Sequence, residues 1–166
     1  MSELLQLTFW ATFLSAAVRT AIPILCASIG EDISEKAGII NVGLEAVMLV
    51  GAFFGFAAAY LTHSLFWGFV VGMLAGMLLS LLHAFLSVYL KQDQNVAGVA
   101  LNLLATGLTS YIFQLMVNRY GIPQIETLKS VPIPLLSKIP LIGDALFNKD
   151  IVVYFSYLLV VFLVSY

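Results

Sequence analysis

Charged side chains are scarce in this sequence, and cysteine is almost absent. Only 10% of the 166 residues are charged and 61% are hydrophobic, whereas a soluble domain carries about 25% charged residues. So few charges cannot cover the surface of a soluble domain of this size. The net charge of −2 and the lack of a basic cluster argue against nucleic-acid binding. The single cysteine, Cys26, excludes disulfide frameworks and cysteine metal sites, and we interpret it as a helix-packing residue.

Motifs for hydrolytic chemistry are also missing. The sequence has no phosphate-binding glycine loop, no His-Glu-x-x-His and no Gly-x-Ser-x-Gly. His63 and His83 match no metal-ligand spacing. We therefore predict a protein that is not an enzyme and has no catalytic residue, metal or cofactor. Any ATP would be hydrolysed by a separate subunit.

Apolar blocks dominate what remains. Five follow one another, each near or above the ~20 residues that cross a bilayer as a helix. Fourteen of the sixteen charged residues lie at the amino terminus or between these blocks. The sequence thus predicts an all-α, polytopic transmembrane bundle in the lipid bilayer. The predicted spans are residues 5–29, 39–61, 64–90, 96–117 and 151–166.

The segment 118–150 holds four of the five prolines, so it cannot be one continuous helix. Because it is also apolar, we predict an ordered cap on the membrane face, either a covering lid or a functional loop. The span that follows rises only about 24 Å, short of the ~30 Å hydrocarbon core. We therefore expect residues 1–166 to be the amino-terminal part of one longer membrane domain.

Small residues recur at every fourth position of the third span, and a shorter series occurs in the second. Such ridges let helix backbones approach closely in a bilayer. They predict a tightly packed bundle, although seams that slide during gating would have the same pattern. The residues are Gly68, Gly72, Gly76, Ser80 and Ala84 in the third span, and Gly51 and Gly55 in the second.

Polar side chains inside the spans are the candidate functional residues. An ionisable group such as Glu45, seven residues into the second span, costs about 2.5–3.5 kcal/mol on insertion scales. Asn41 shares its helix face. Arg19, in the first span, is within reach of Glu45 in depth, but helical side chains lean toward opposite ends in an antiparallel pair. Pairing of Arg19 with Glu45 therefore stays open.

The fourth span has polar residues at a stride of four: Asn102, Thr106, Ser110 and Gln114. Neighbours in this series share a face, while the whole series winds around the helix. Two interpretations remain open, namely interhelical hydrogen bonds and the wall of a hydrated translocation path.

Three segments carry a family resemblance: residues 34–49, with Asn41 and Glu45, residues 98–110, with Asn102 and Thr106, and residues 133–143 in the proline-rich loop. Together they resemble the permease subunits of ABC importers for branched-chain amino acids, simple sugars and nucleosides. The loop segment is similar to the nucleoside branch, whose binding protein is a basic-membrane-protein lipoprotein. Family subunits run to about twice this length.

The resemblance implies a permease for a small polar solute in the bacterial cytoplasmic membrane. Its partners would be a homologous permease, an ABC ATPase and an extracytoplasmic lipoprotein. It also implies that Asn41, Glu45, Asn102 and Thr106 line or support the path. The long loop would face outward, although a count of lysine and arginine places it in the cytoplasm by a margin of two.

Two other functions remain possible at this stage. A proton-coupled secondary transporter could use Glu45 as its titrating carboxylate. A membrane scaffold would need only the packing seams.

Overall fold

The computed structural model describes residues 7–121, 123–125, 128, 131–132 and 146–164. Within this part of the chain the regular elements are helices, apart from a two-residue ladder in which β1 (Val131–Pro132) pairs antiparallel with β2 (Asn148–Lys149). The prediction of an all-α bundle is confirmed. The helices are α1 (Leu7–Lys36), α2 (Leu44–Thr62), α3 (Leu65–Ala84), continued by a π-helical turn at Phe85–Tyr89, α4 (Gln94–Tyr120) and α5 (Ile151–Val164).

The first four helices are long and apolar enough to cross a membrane. Many large apolar side chains on them are exposed, for example Phe66 on α3 and Leu103 on α4. A bilayer accepts such surfaces, because its acyl chains are as apolar as the side chains. The predicted multi-pass membrane protein is confirmed. Helix α5 is equally apolar but has only 14 residues.

Helix α1 continues past the predicted end of the first span. The sequence predicts a connection at 30–38, but the helix runs to Lys36. Residues 31–36 contain no helix breaker, and an ion pair of 2.9 Å between Lys36 and Asp32, one turn apart, supports the last turn. The helix stops before Gly38, whose φ of +85° suits glycine and few other residues.

Helix α2 begins later than predicted, and this changes the position of Glu45. Residues 38–43 are not helical, and the helix starts at Leu44. Glu45 is therefore the second residue of α2, and its predicted place seven residues into a helical span is wrong. A carboxylate in the first turn is favoured by the partial positive charge at a helix amino terminus.

The chain divides into two units. In Gly30–Glu126, α2 packs along α3 and its first half packs on α4. The core there consists of Ala46 and Val50 of α2 with Leu101 and Ala105 of α4. The other unit combines Met1–Ile29 with Thr127–Tyr166. The cap predicted for the proline-rich loop falls largely outside the described residues.

Candidate functional site

Asn102 joins the start of α2 to α4. Its side-chain Oδ1 accepts a hydrogen bond from the backbone N–H of Ala46 at 2.8 Å, and its Nδ2 donates to the carbonyl of Val42 at 3.2 Å. Both ends of the amide are thus used to hold the first turn of α2. The structure places Asn102 in a supporting position, where it accepts a hydrogen bond from one of the N–H groups that the start of α2 leaves free and also binds the Val42 carbonyl just before the helix.

The backbones of two glycines touch at the same place. A Cβ added to Gly98 would lie 2.7 Å from the backbone nitrogen of Gly43 and 2.8 Å from the carbonyl carbon of Val42. Only glycine leaves room for this approach. The contact brings α4 close enough for Asn102 to reach α2.

Two backbone N–H groups of the non-helical residues 38–43 donate hydrogen bonds to side chains outside this segment. The N–H of Asn41 donates to Oε1 of Glu31 at 2.7 Å, and the N–H of Ile40 donates to Oε1 of Gln94 at 2.8 Å. The buried His83 ring lies 3.4 Å from the carbonyl oxygen of Gln94. Non-helical backbone in a membrane protein needs such partners. Sequence reasoning missed Glu31 and Gln94. Glu31 lies only ten residues before Asn41, which was a usable signal, whereas Gln94 is 54 residues from Ile40 and gave none.

Asn41 takes part in this connection mainly through its backbone. Within the described residues, its buried Oδ1 and the buried Oε2 of Glu31 have no hydrogen-bond partner. The carbonyl of Asn41 accepts the N–H of Leu44 at 3.1 Å, which closes the turn before α2. The structure therefore places Asn41 at the entrance of α2, beside the contact of Gly43 with Gly98.

Glu45 and Arg19 lie in different surroundings. The Glu45 side chain is exposed on the first turn of α2. Arg19 is 69% exposed and has its ion pair, at 3.8 Å, with Asp150, just before α5. Such an exposed and long pair contributes little to stability. The ion pair of Arg19 is thus formed within its own unit, and its pairing with Glu45 stays an open prediction from the sequence.

Polar side chains on α4 follow the predicted stride. Thr106, Ser110 and Gln114 are exposed, and we call these three residues the polar strip. Thr106 Oγ1 donates to the carbonyl of Asn102 at 2.8 Å, within the same helix. At its C-terminal end the strip meets a groove lined by Phe113, Gln114, Val117 and Asn118. Leu104 and Leu108 are also exposed, but at 100° per residue they lie on a different side of α4.

The predicted packing glycines meet across α2 and α3. A Cβ on Gly72 would lie 2.9 Å from the carbonyl oxygen of Gly51, and a Cβ on Gly55 would lie 3.0 Å from that of Gly68. Gly76 is looser, since a Cβ there would lie 3.5 Å from Val47 Cγ1. The backbones of the two helices therefore touch at two places about one turn apart, and the spacing widens toward Gly76.

A second polar contact surface lies between α1 and α5. The ammonium group of Lys149, a residue only 3% exposed, donates to the carbonyl oxygen of Ser15 at 3.0 Å and also contacts its hydroxyl. Further along, Cys26 Sγ donates to Ser156 Oγ at 3.5 Å. A lysine is rarely buried without such partners. The sequence indicated nothing of the Lys149 contact, because Ser15 lies 134 residues away.

Comparison with known proteins decides the family. Residues 13–166 match the family described as the permease component of the branched-chain amino acid transport system. The chain belongs to this permease family. The family resemblance seen in the sequence is therefore confirmed, and the chain is a multi-pass protein of the cell membrane.

Three relatives of this permease are named for sugar or nucleoside transport. A Haloferax volcanii protein, provisionally named a glucose ABC transporter permease, is 40% identical over 93% of this chain and 47% of its own. The guanosine ABC transporter permease of Bacillus subtilis is 32% identical over 96% of this chain and 50% of its own. The nucleoside ABC transporter permease of Lactococcus lactis is 38% identical over 76% and 42%.

The permease chain thus spans about half the length of the curated relatives it matches. No solved structure matches it. Within the described residues, no group of three or more His, Cys, Asp or Glu side chains is arranged to hold a metal ion.

Proposed function

We propose that this chain is part of the permease subunit of an ABC importer and helps to form the membrane path of a small polar solute, most simply a nucleoside. Membership of the permease family supports the transport role. Two of the relatives described above are named for guanosine or nucleoside transport, which supports the choice of solute.

The observation that carries this proposal is the exposed polar strip on α4. Thr106, Ser110 and Gln114 lie on a helix whose hydropathy suits a membrane interior. Thr106 donates to a carbonyl of its own helix, but the Ser110 hydroxyl and the Gln114 amide would be unsatisfied if they were directed at acyl chains. The strip therefore needs water or another polypeptide beside it. A solute path supplies the water, and the amide of Gln114 and the hydroxyl of Ser110 can replace hydration of a passing solute.

The supporting residues lie deeper in the bundle. Asn102 holds α2 to α4, and Asn41 lies at the entrance of α2, so both act on the path through the position of the helices. Glu45 and Arg19 are each exposed, and we assign both to the polar edge of the path.

The proposal requires partners. ATP would be hydrolysed by an ABC ATPase, since this sequence has no phosphate-binding loop. A homologous permease would complete the path, and an extracytoplasmic lipoprotein would deliver the solute. Closure of the ATPase would switch the bundle between outward-open and inward-open states.

The proton-coupled carrier is less well supported. A carrier of that kind needs a carboxylate that is screened from bulk water at one stage of its cycle. Glu45 lies exposed in the first turn of α2. A carboxylate there is already explained by its favourable interaction with the partial positive charge at the amino terminus of the helix. Full-length protein in liposomes separates the two functions: the importer takes up guanosine only with its ATPase and ATP, whereas the carrier does so with a proton gradient alone.

Cysteine accessibility tests the polar strip directly. In a Cys26→Ser background of the full-length permease, Ser110→Cys and Leu104→Cys place one thiol on each exposed side of α4. A water-soluble thiol reagent should modify position 110 at least ten times faster than position 104, because only the strip is expected to be hydrated. Equal rates at the two positions would contradict the proposal.

A further inference from the structure

A cavity of about 190 Å³ lies where α2 turns into α3, beside the segment that follows α4. It belongs entirely to the unit Gly30–Glu126, and it is separate from the polar strip. Its lining residues are Ala59, Tyr60, His63, Ser64, Leu65, Gln124 and Ile125.

Four of these side chains can form hydrogen bonds: Tyr60, His63, Ser64 and Gln124. Within the described part of the chain, none of the four forms a side-chain hydrogen bond. Ser64 precedes α3 but does not cap it with its hydroxyl. Their donors and acceptors therefore remain available to a ligand or to water.

The aromatic ring of Tyr60 is held in place beside the cavity. Its centroid lies 6.2 Å from that of Tyr120 and 6.5 Å from that of His63. The Arg119 guanidinium lies 5.5 Å from the Tyr120 ring centroid, which adds a cation–π contact behind the pair. His63 has a left-handed backbone, with φ 51° and ψ 31°, which directs the short turn between the helices.

The size of the cavity limits the ligand to one ring. Its volume corresponds to about six molecules of liquid water. Sites for larger, drug-sized molecules usually have about 300–1,000 Å³. A ring that combines an apolar face with several hydroxyl groups matches an aromatic wall and convergent polar side chains.

We propose that this cavity is a subsite for a sugar ring, with the C–H face of the ring against Tyr60 and its hydroxyl groups on His63, Ser64 and Gln124. The proposal rests on the function proposed above and makes it more specific. Nucleosides and hexoses both present a sugar ring, so one subsite serves the ribose of a nucleoside or a free hexose.

Uptake kinetics of the assembled importer test this subsite. With labelled guanosine, Gln124→Leu should raise KM about three- to tenfold through the loss of one hydrogen bond. Tyr60→Leu should raise KM by a similar factor, because it removes the aromatic face against which the sugar ring packs. The maximal rate should change less than twofold. His63→Asn should have a smaller effect, because asparagine keeps a hydrogen-bonding group and tolerates the left-handed backbone. Gln92→Leu, at the turn between α3 and α4, is the matched control and should leave KM unchanged.

Two further probes identify the ring. Labelled glucose shows whether a free hexose uses the subsite, and the free base guanine has no sugar ring. A rise in KM for guanosine with unchanged competition by guanine supports the sugar-ring subsite. If the variants weakened competition by guanine as much as they raised the KM for guanosine, the cavity would bind the base. That result would overturn the proposal.

A binding measurement separates this inference from the proposed function. Saturation-transfer NMR of methyl β-D-riboside with purified full-length permease should show transfer to the ring protons, and Gln124→Leu should weaken it. Transfer without any ATP-driven uptake by the wild type would refute the importer and support the subsite. Uptake by the wild type with unchanged KM in every variant, and no transfer, would refute the subsite alone. In that case Tyr60 and Tyr120 would serve only as an aromatic pair at the membrane–water interface.

Discussion

At the scale of single residues, several polar side chains in the spans are satisfied by close partners. Thr106 and Thr109 bond carbonyls of their own helix, at 2.8 and 2.7 Å. Asn102 is different, because its partners Val42 and Ala46 belong to another part of the chain. Its loss would therefore leave two backbone groups of another helix start without partners at once.

We expect Asn102→Leu to lower the free energy of unfolding of the full-length permease by about 1–3 kcal/mol. Thr106→Val, one turn later, is the matched control and should change it by less than about 0.5 kcal/mol, since that hydroxyl bonds only its own helix. Reversible unfolding in mixed micelles gives both values. Similar losses for the two variants would contradict the bracing role of Asn102.

Two glycines of α4 should respond in opposite ways to the same substitution. Gly98→Ala puts a methyl group 2.7 Å from the Gly43 nitrogen, against backbone that cannot move aside easily. At Gly107 nothing lies within 4 Å of the added carbon. We expect Gly98→Ala to cost about 1–3 kcal/mol, and Gly107→Ala to be neutral or to stabilise by up to about 1 kcal/mol. Thermal midpoints of the purified variants give the comparison, and a tolerated alanine at position 98 would refute the close contact.

At the scale of elements, the seam between α2 and α3 determines how closely two membrane helices approach. Its small residues allow backbone atoms of opposite helices to touch, which supplies the packing that lipid cannot. The seam is not uniform, because a Cβ at Gly68 would lie 2.8 Å from Ala59 Cβ and 2.9 Å from the Gly55 oxygen, whereas Gly76 has ordinary distances.

Alanine substitutions along this seam should therefore have graded effects. We expect Gly68→Ala to destabilise the permease by about 1–3 kcal/mol through overpacking. Gly76→Ala, two turns away, should be neutral or slightly stabilising, because its added carbon meets Val47 at 3.5 Å. Unfolding of the two variants in the same micelles measures the difference. A larger loss at position 76 than at position 68 would show that the seam packs differently.

At the scale of the whole molecule, consecutive membrane helices put their connections on alternate faces. The turn between α2 and α3 and the turn between α3 and α4 must then lie on opposite sides of the bilayer. The family resemblance implies that the side with Lys36 and Lys91 is cytoplasmic, whereas the count of basic residues favours the reverse.

Labelling in intact cells should resolve this orientation. In a Cys26→Ser background we expect Thr62→Cys to react with a membrane-impermeant maleimide from outside. Gln92→Cys should react only after the cells are permeabilised, because its turn faces the cytoplasm. The permeabilised sample serves as the control for reactivity of both thiols. The opposite pattern would invert the topology and place the turn of α2 and α3 inside.

The sequence was sufficient to predict the class of fold and most helix positions. The reason is that insertion of a segment into a bilayer depends mainly on the apolar content of that segment itself. It was less accurate at connections. The first helix extends to Lys36 because its polar last turn is still a good helix former, and α2 starts only at Leu44 because residues 38–43 form a hydrogen-bonded turn. Neither boundary follows from apolar content alone.

The sequence by itself determined that this chain enters a membrane as helices, which residues are small enough for close packing, and which family it resembles. Only the tertiary structure decided how the polar atoms are paired: Asn102 with the start of α2, Arg19 with Asp150, and Lys149 with Ser15. The physical reason is that spacing along a helix gives depth and face, whereas lateral neighbours depend on how separate helices pack.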